Sequence, residues 1–442
     1  MANTYLTRTQ GSTGSETKGT FSAWVKRSGL TTASNMYTSY QADNEFCDIQ
    51  FNDSDQLQVV VKIGGTDYLD LRTTRLFRDV SAFYHIVVVF DSTDSTQADR
   101  CKLYVNGTRE TSFATNTNNV SSSLNMRING SSQDPYIGSW HNQGNYFDGS
   151  MTHIHWIDGT AYDADDFGET DSTSGIWKPK TAPSVTYGTN GFFLKFENSA
   201  NMDLDSSPNN HTFTTGGTIT QTQDTPSNNF ATLNPLHKGD TLTGFTFVNG
   251  NNTITFGSTT YPYTFSTQAV SSGKWYAEFK VTANPNDVSI GISNGEKSPY
   301  LSHSQYDYAY VGSNGNVQSN QSGSSYGSAL STNDILGVAM DLDNNRLFFS
   351  KNGTWQNSAD PTSSTGAYTI TAPSSTTNGV YHFAVGDFNS AASSVQCNFG
   401  NGKFGTSSVA SSNSDSAGLG LFEYSVPSGY YSLCTKNIKN YG

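Results

Sequence analysis

Few residues in this chain are spaced for bond-making chemistry. "NEFCDIQF" sets Glu45 three places before Asp48, and "GETDS" sets Glu169 two places before Asp171. Two carboxylates about 5 Å apart can cleave a glycosidic bond, one as nucleophile and one as general acid. On a strand, however, an odd offset sends Glu45 and Asp48 to opposite faces. Glu169 and Asp171 have an even offset but lie in loop-like text. Neither pair reads as a catalytic centre, and no catalytic residue is assigned.

Metal chemistry has three openings. His153 and His155 form His-x-His, which on a strand places both imidazoles on one face, as zinc sites require. A third ligand is not placed, His141 being the nearby candidate, so the pair reads as the polar outer face of a strand. "DLDNN", Asp341 to Asn345, begins like a calcium loop but lacks the sixth-place glycine and the closing glutamate. It reads as a turn. "DADD", Asp163 to Asp166, offers carboxylates that equally suit the first turn of a helix. No cofactor is assigned. Cys47, Cys101, Cys397 and Cys434 form no CxxC and no short framework. Cys47 and Cys101 fall in strand-like runs, where a thiol acts as a small hydrophobe.

Recognition chemistry is better represented. Trp140, His141, Asn142, Asn145 and Tyr146 share one glycine-bearing loop. An aromatic face beside amides suits a sugar ring, whose C–H face stacks while its hydroxyls pair with the amides. "NGEKSPYLSHSQYDYAY" presents Tyr300, Tyr306, Tyr308 and Tyr310. Tyrosine buries much area at low entropic cost, so these four are candidate contacts too. The competing reading is that each tyrosine packs within the protein.

The elements that position these residues are strands. Hydrophobic residues make up only 34% of the 442, yet aromatics reach 13% and charged residues only 14%. Disorder would need the opposite balance. "GTFSAWVKRS" alternates, with Phe21, Ala23 and Val25 on one face. Ile86 to Phe90 is continuously apolar, as a strand buried on both faces should be. "CKLYVNGTRE" and, some way downstream, "NRLFFSKNGTWQNS" each break at Asn-Gly, which favours the type I′ hairpin turn. The repeat marks two separate antiparallel sandwiches. "AYDADDFGE" starts a short helix. The fold class is all-β, with a first domain over 1–215, a polar linker over 216–240 and a second domain over 241–405. A Ser-rich segment and a C-terminal strand occupy 406–442.

Net charge is −13, and no Lys/Arg cluster offsets it. Such a surface repels phosphate, which argues against nucleic acid as a partner. No apolar run approaches the ~18 residues of a membrane span. The first residues lack the basic-then-apolar pattern of a secretory signal.

"FYHIVVVFDS……CKLYVNGTRE" and "YIGSW……YFDGSMTHIHWIDGTAYDADDFGE" resemble concanavalin A-like jelly rolls of the laminin G and pentraxin type, over about Lys18 to Gly168. "GKWYAEFKV", "VSIGISN", "DILGVAMDLDNNRLFFSKNGTW" and "YHFAVGDF" resemble a SPRY domain in order and spacing. "FEYSVPSGYYSLCTKNI" is similar to the end of SPRY-bearing proteins of tailed phages. Glucanases of the first family carry Glu-x-Asp-x-x-Glu or a close variant on one strand, which "NEFCDIQF" does not match. Some laminin G-type domains hold calcium at a rim, and "DADD" would be its place here. The resemblance implies a non-enzymatic virion protein, as tail fibre, receptor-binding module or capsid decoration. Its partners would be other virion proteins, host-surface glycan and further copies of itself. The alternatives are a free carbohydrate-binding protein or adhesin and, behind it, a glycan-degrading enzyme.

Overall fold

A computed structural model describes residues 3–141, 144–237, 244–257, 261–388 and 392–442. The chain divides into two compact units, Met1–Gln221 and Thr222–Gly442. Each unit is built from two sheets facing one another across an apolar core, antiparallel throughout except where Tyr431–Ser432 runs parallel to Lys274–Ala283 in the second unit. The fold class is therefore the all-β tandem of sandwiches that alternation in the sequence implies.

In the first unit an eight-stranded sheet runs, in spatial order, Phe113–Asn118, Thr66–Leu76, Gln56–Ile63, Glu45–Phe51, Ser34–Ala42, Asp134–Ile137, Tyr5–Thr7, Thr214–Gly216. The facing six-stranded sheet runs Phe192–Leu194, Gly149–Asp158, Lys18–Arg27, Tyr84–Asp91, Cys101–Val105, Thr108–Arg109. Phe21, Ala23 and Val25 point into the core as their alternation requires. Ile86 to Phe90 are all fully buried. The outward-facing Val87 and Val89 of that run are covered by Ala164, on the short helix Ala164–Phe167, and by Trp177. Asp163 caps this helix in a reciprocal capping box with Asp166, so "DADD" has a structural role.

In the second unit the larger sheet centres on Lys274–Ala283, Ile335–Asp341 and Arg346–Lys351, and the smaller on His382–Asp387, Val288–Ser293 and Tyr308–Val311. "DLDNN" is the turn between two of these strands: Asp341 is buried, paired with Lys274 at 3.1 Å and bonded to Asn344.

Both Asn-Gly turns have positive φ at both residues, 50° and 79° at Asn106-Gly107 and 49° and 79° at Asn352-Gly353. The likeness goes further. Asn106 Oδ1 accepts the N–H of His85 at 2.8 Å while its own N–H donates to the His85 carbonyl at 2.9 Å. Asn352 treats Ile335 identically, at 2.8 Å for both bonds. Each asparagine thus extends the ladder by one rung on the neighbouring strand. Each glycine also accepts a later aromatic: a Cβ on Gly107 would stand 2.9 Å from the Trp177 ring, and one on Gly353 would stand 2.6 Å from Tyr424.

Two stretches differ from the sequence reading. Within the expected linker, Ala231 and Leu233 are fully buried in the core of the second unit, and Ala231 N–H donates to the Leu433 carbonyl. That part of 216–240 belongs to the second sandwich, because its isolated apolar residues find partners far along the chain. The tail is also integral. Phe422 and Tyr430 pack with Tyr276, Ala339 and Phe348 on the outer face of the larger sheet. It ends not on a strand but on a helix, Thr435–Tyr441.

Candidate functional site

The recognition loop of the first unit is held by its backbone. Gly138 N–H donates to Met36 O at 3.1 Å, Trp140 N–H to Gly144 O at 3.0 Å, and Asn35 N–H to Asn145 O at 2.8 Å. These bonds lay the loop across the outer face of the eight-stranded sheet. Trp140 meets Phe46 edge-on, with centroids 4.4 Å apart, and His141 stacks on Tyr40 at 4.2 Å. Tyr146 stacks on Tyr5 at 6.3 Å, and Tyr5 and Tyr40 flank Tyr136 at 6.1 and 6.4 Å. The result is one half-buried aromatic strip over four strands. Asn145 is exposed beside it, His141 is buried within it, and Asn142 lies outside the described residues.

Register explains the strip. Tyr136, Thr38, Asp48, Val60 and Asp70 stand directly opposite one another across five strands, and Tyr40, Phe46 and Lys62 form the next row. Directly opposed residues share a face. This outer face therefore grades from aromatic at one end to charged at the other, where Lys62 pairs with Asp67 at 2.9 Å and Arg72 with Asp70 at 2.7 Å. Beneath the loop lies Asp48, fully buried and bonded to Asn35 and to Thr38 Oγ1, the latter at 2.8 Å. Burial pushes its carboxyl up to about 7, against the pull of those donors. Tyr40 donates to Asp43 at 2.9 Å, and desolvation together with that carboxylate raises its phenol. Tyr5, Tyr40 and Tyr136 were missed by sequence reasoning. Their signal was present, since each alternates with a core residue, but pairing across distant strands is what joins them.

The second unit treats its four candidates unequally. Tyr308 and Tyr310 are buried core residues on the strand Tyr308–Val311 and are not ligand contacts. "DYAYV" alternates, and the tyrosines take the inner face, where Tyr310 donates to the Ser328 carbonyl. Tyr300 is half-buried in a second aromatic group with Tyr261 at 5.6 Å, Phe388 at 5.4 Å and His303 at 5.1 Å. Tyr261, 43% exposed, is its outermost member. Tyr306 is half-buried. Below it Asp307 is fully buried, and desolvation raises its carboxyl to about 6.

The carboxylate pairs are engaged elsewhere. Glu45 binds Arg127 at 2.5 Å and accepts Gly64 N–H, far in character from the buried Asp48. Glu169 and Asp171 share Lys178 at 3.4 and 3.0 Å. His153 and His155 both lie against the Phe193 ring, but a bulge intervenes and His153 has φ +48°. His155 is not a polar surface residue: it is 2% exposed, under Phe167 and Tyr187. His141 sits on Tyr40, apart from them. Among the described residues no three His, Cys, Asp or Glu side chains gather as metal ligands. All four cysteines are free and buried.

The six-stranded sheet also brings together a serine and a histidine that the sequence did not pair. Ser22 Oγ lies 2.9 Å from His85 Nε2. The Trp177 indole N–H donates to His85 Nδ1 at 3.0 Å, so Nδ1 is the acceptor and the proton sits on Nε2. His85 therefore donates to Ser22 and cannot take its proton. Burial drives the imidazole down to about 3, both residues are fully buried, and Trp24 stacks on the ring at 4.7 Å. The pair is structural.

Comparison with known proteins agrees with this geometry. Residues 1–165 match the family model described as the concanavalin A-like lectin/glucanases superfamily, and residues 274–400 match the SPRY domain model. The chain thus carries an N-terminal concanavalin A-like domain and a C-terminal SPRY domain, families whose members are typically binding modules, although the first also includes glucanases. Among solved structures, the SPRY domain of human HERC1 is similar at 16% identity, covering 37% of this chain and 96% of that one, with a TM-score of 0.30. A second human SPRY domain is similar at 17% identity, covering 35% and 96%, with a TM-score of 0.27. No curated protein matches.

Proposed function

We propose that this protein is a non-enzymatic binding component of a bacteriophage particle, displayed outward as a fibre tip, receptor-binding module or capsid decoration. Its first unit holds host-surface glycan against the strip formed by Tyr5, Tyr40, Tyr136, Trp140 and Tyr146. The observation that carries this reading is the strip itself: half-exposed rings from three neighbouring strands and the loop laid over them, with the exposed Asn145 alongside. A sugar face stacks on such rings, and binding to one strip is weak. Many copies on one particle would make weak sites act together, which favours a homo-oligomeric or multicopy arrangement alongside other virion proteins. An acidic chain without a basic cluster does not fit nucleic acid as the partner, and no helix among the described residues is long and apolar enough to cross a membrane.

The test is a glycan array, run beside host-cell adsorption, with the wild-type chain, Trp140→Ala and Tyr146→Ala. Glycan binding should fall by about tenfold in each variant, as loss of an aromatic contact worth about 1–1.5 kcal/mol implies. Unchanged binding and adsorption would remove the lectin reading and leave a purely architectural role. Hydrolysis of any polysaccharide by the purified chain would overturn the non-enzymatic one.

A further inference from the structure

One side of the first sandwich is open. The last strand of the larger sheet, Phe113–Asn118, and the far strands of the smaller sheet, Cys101–Val105 and Thr108–Arg109, border a groove of about 890 Å³. That volume lies in the range of small-molecule sites.

Polar side chains occupy positions where a sandwich wants apolar ones. Asn116 stands opposite Leu71 and Asn118 opposite Leu69. Both leucines are core residues, so both asparagines face the space between the sheets. Leu71, Cys101 and Phe113 supply an apolar floor. Gln97 and Asn118 are cross-bonded, Gln97 Nε2 to the Asn118 carbonyl at 2.8 Å and Asn118 Nδ2 to the Gln97 carbonyl at 3.0 Å. This fixes the Asn118 amide and leaves its Oδ1 buried without a hydrogen-bond partner among the described residues. The Asn118 amide is thereby turned into the protein at the end of the groove, and the exposed Asn116 is the amide presented to it.

The charges narrow the class of ligand. Arg109 is paired with Asp99, and Arg75 with Glu110 at 3.2 Å. Lys102 is 3.9 Å from Asp163. The cations at the groove are thus answered, in a chain of net charge −13, so a polyanion gains little there. An apolar floor beneath amides that both donate and accept suits a neutral ligand dense in hydroxyl groups.

We propose that this groove is a second binding site for a neutral oligosaccharide, laid along Phe113–Asn118 with its C–H face on the Phe113 ring and its hydroxyls on the Asn116 amide. It shares with the proposed function only the class of ligand. The aromatic strip is on the outer face of the eight-stranded sheet, and the groove is on the interlayer side at its far edge.

Hydrogen exchange of the full chain read by mass spectrometry separates the two. The probes are maltohexaose, cellohexaose and chitohexaose, with a heparin hexasaccharide as the polyanionic comparison. At least one neutral probe should slow exchange across 113–119. Asn116→Ala, an exposed change that the fold tolerates, should weaken that protection about fivefold, the value of one hydrogen bond of about 1 kcal/mol. Trp140→Ala should leave it intact, even if that variant abolishes binding at the outer face. The proposal is overturned if no neutral probe protects 113–119, if protection survives Asn116→Ala, or if only the heparin fragment protects.

Discussion

At the scale of single residues, buried acids and buried histidines pull against one another. Desolvation raises Asp48 and Glu278 to about 7 and Asp307 to about 6, although Glu278 accepts the N–H groups of Glu423 and Tyr424 and the Tyr276 hydroxyl. Each of these acids therefore holds more proton in the folded chain than in the unfolded one between about pH 4 and its folded value, while the buried histidines, His85 at about 3 and His237 at about 4 among them, hold less below their unfolded value near 6.5 and pull the other way. Stability from these acids is fully present below their unfolded values and is lost as pH rises through their folded ones. Carboxylates held low, such as Asp55, Asp91 and Asp415, act oppositely, but only below about pH 4. The Asp48 share of the resulting slope in denaturant midpoint is read by comparing the wild type with Asp48→Asn at pH 5 and at pH 8. Asp48→Asn should remove its share of that slope, on the order of 2–4 kcal/mol, since each tenfold change in proton affinity on folding is about 1.4 kcal/mol. Identical pH profiles from pH 5 to 8 in the wild type and the variant would contradict it. Residue type alone could not reveal this: "DIQ" is unremarkable text, and only the loop laid over Asp48 makes it costly. Tyr308 and Tyr310 teach the same lesson in reverse, since a run of tyrosines does not say which face of the strand is inside.

At the scale of elements, the two Asn-Gly hairpins show how much was legible. Turn type, chain direction and the existence of two sandwiches could be read from "YVNGTRE" and "SKNGTW", because Asn-Gly at positive φ is a local, steric matter. What the asparagine side chain does for the neighbouring strand could not. Asn106→Ala and Asn352→Ala should each cost about 1–2 kcal/mol, from one side-chain bond and an alanine forced to positive φ. Thermal unfolding followed by calorimetry would read this, and a change within about 0.3 kcal/mol would mean the rung is not made. The 406–442 segment failed to read as part of a core for a different reason. Its Phe422, Tyr430 and Leu433 are scattered through serine and glycine, without a period, and they pack against strands far earlier in the chain. Truncation after Phe404 would bare Tyr276 and Phe348 on the sheet's outer face and leave Glu278 buried without its two backbone donors. The truncated chain should be recovered insoluble, or with its second-unit transition missing. A soluble, cooperatively unfolding product would show that the tail is dispensable.

At the scale of the whole molecule, composition had already argued against disorder and a helical body, and the paired sheets follow from alternation. The aromatic strip was legible only at its loop, through Trp140 and Tyr146, because its other rings come from strands far apart in sequence. Both units also tie their beginnings to their ends. In the first, Tyr5–Thr7 is laddered to Thr214–Gly216, and Thr4 Oγ1 donates to the Thr218 carbonyl. In the second, Asn229 N–H bonds Thr435, Thr435 N–H returns to the Asn229 carbonyl, and Phe230 bridges Cys434. A pull on the polypeptide meets these clasps first. Tension then passes from one side of each unit to the other through a few adjacent rungs, while the sheets behind them, and any ligand they hold, carry almost no load.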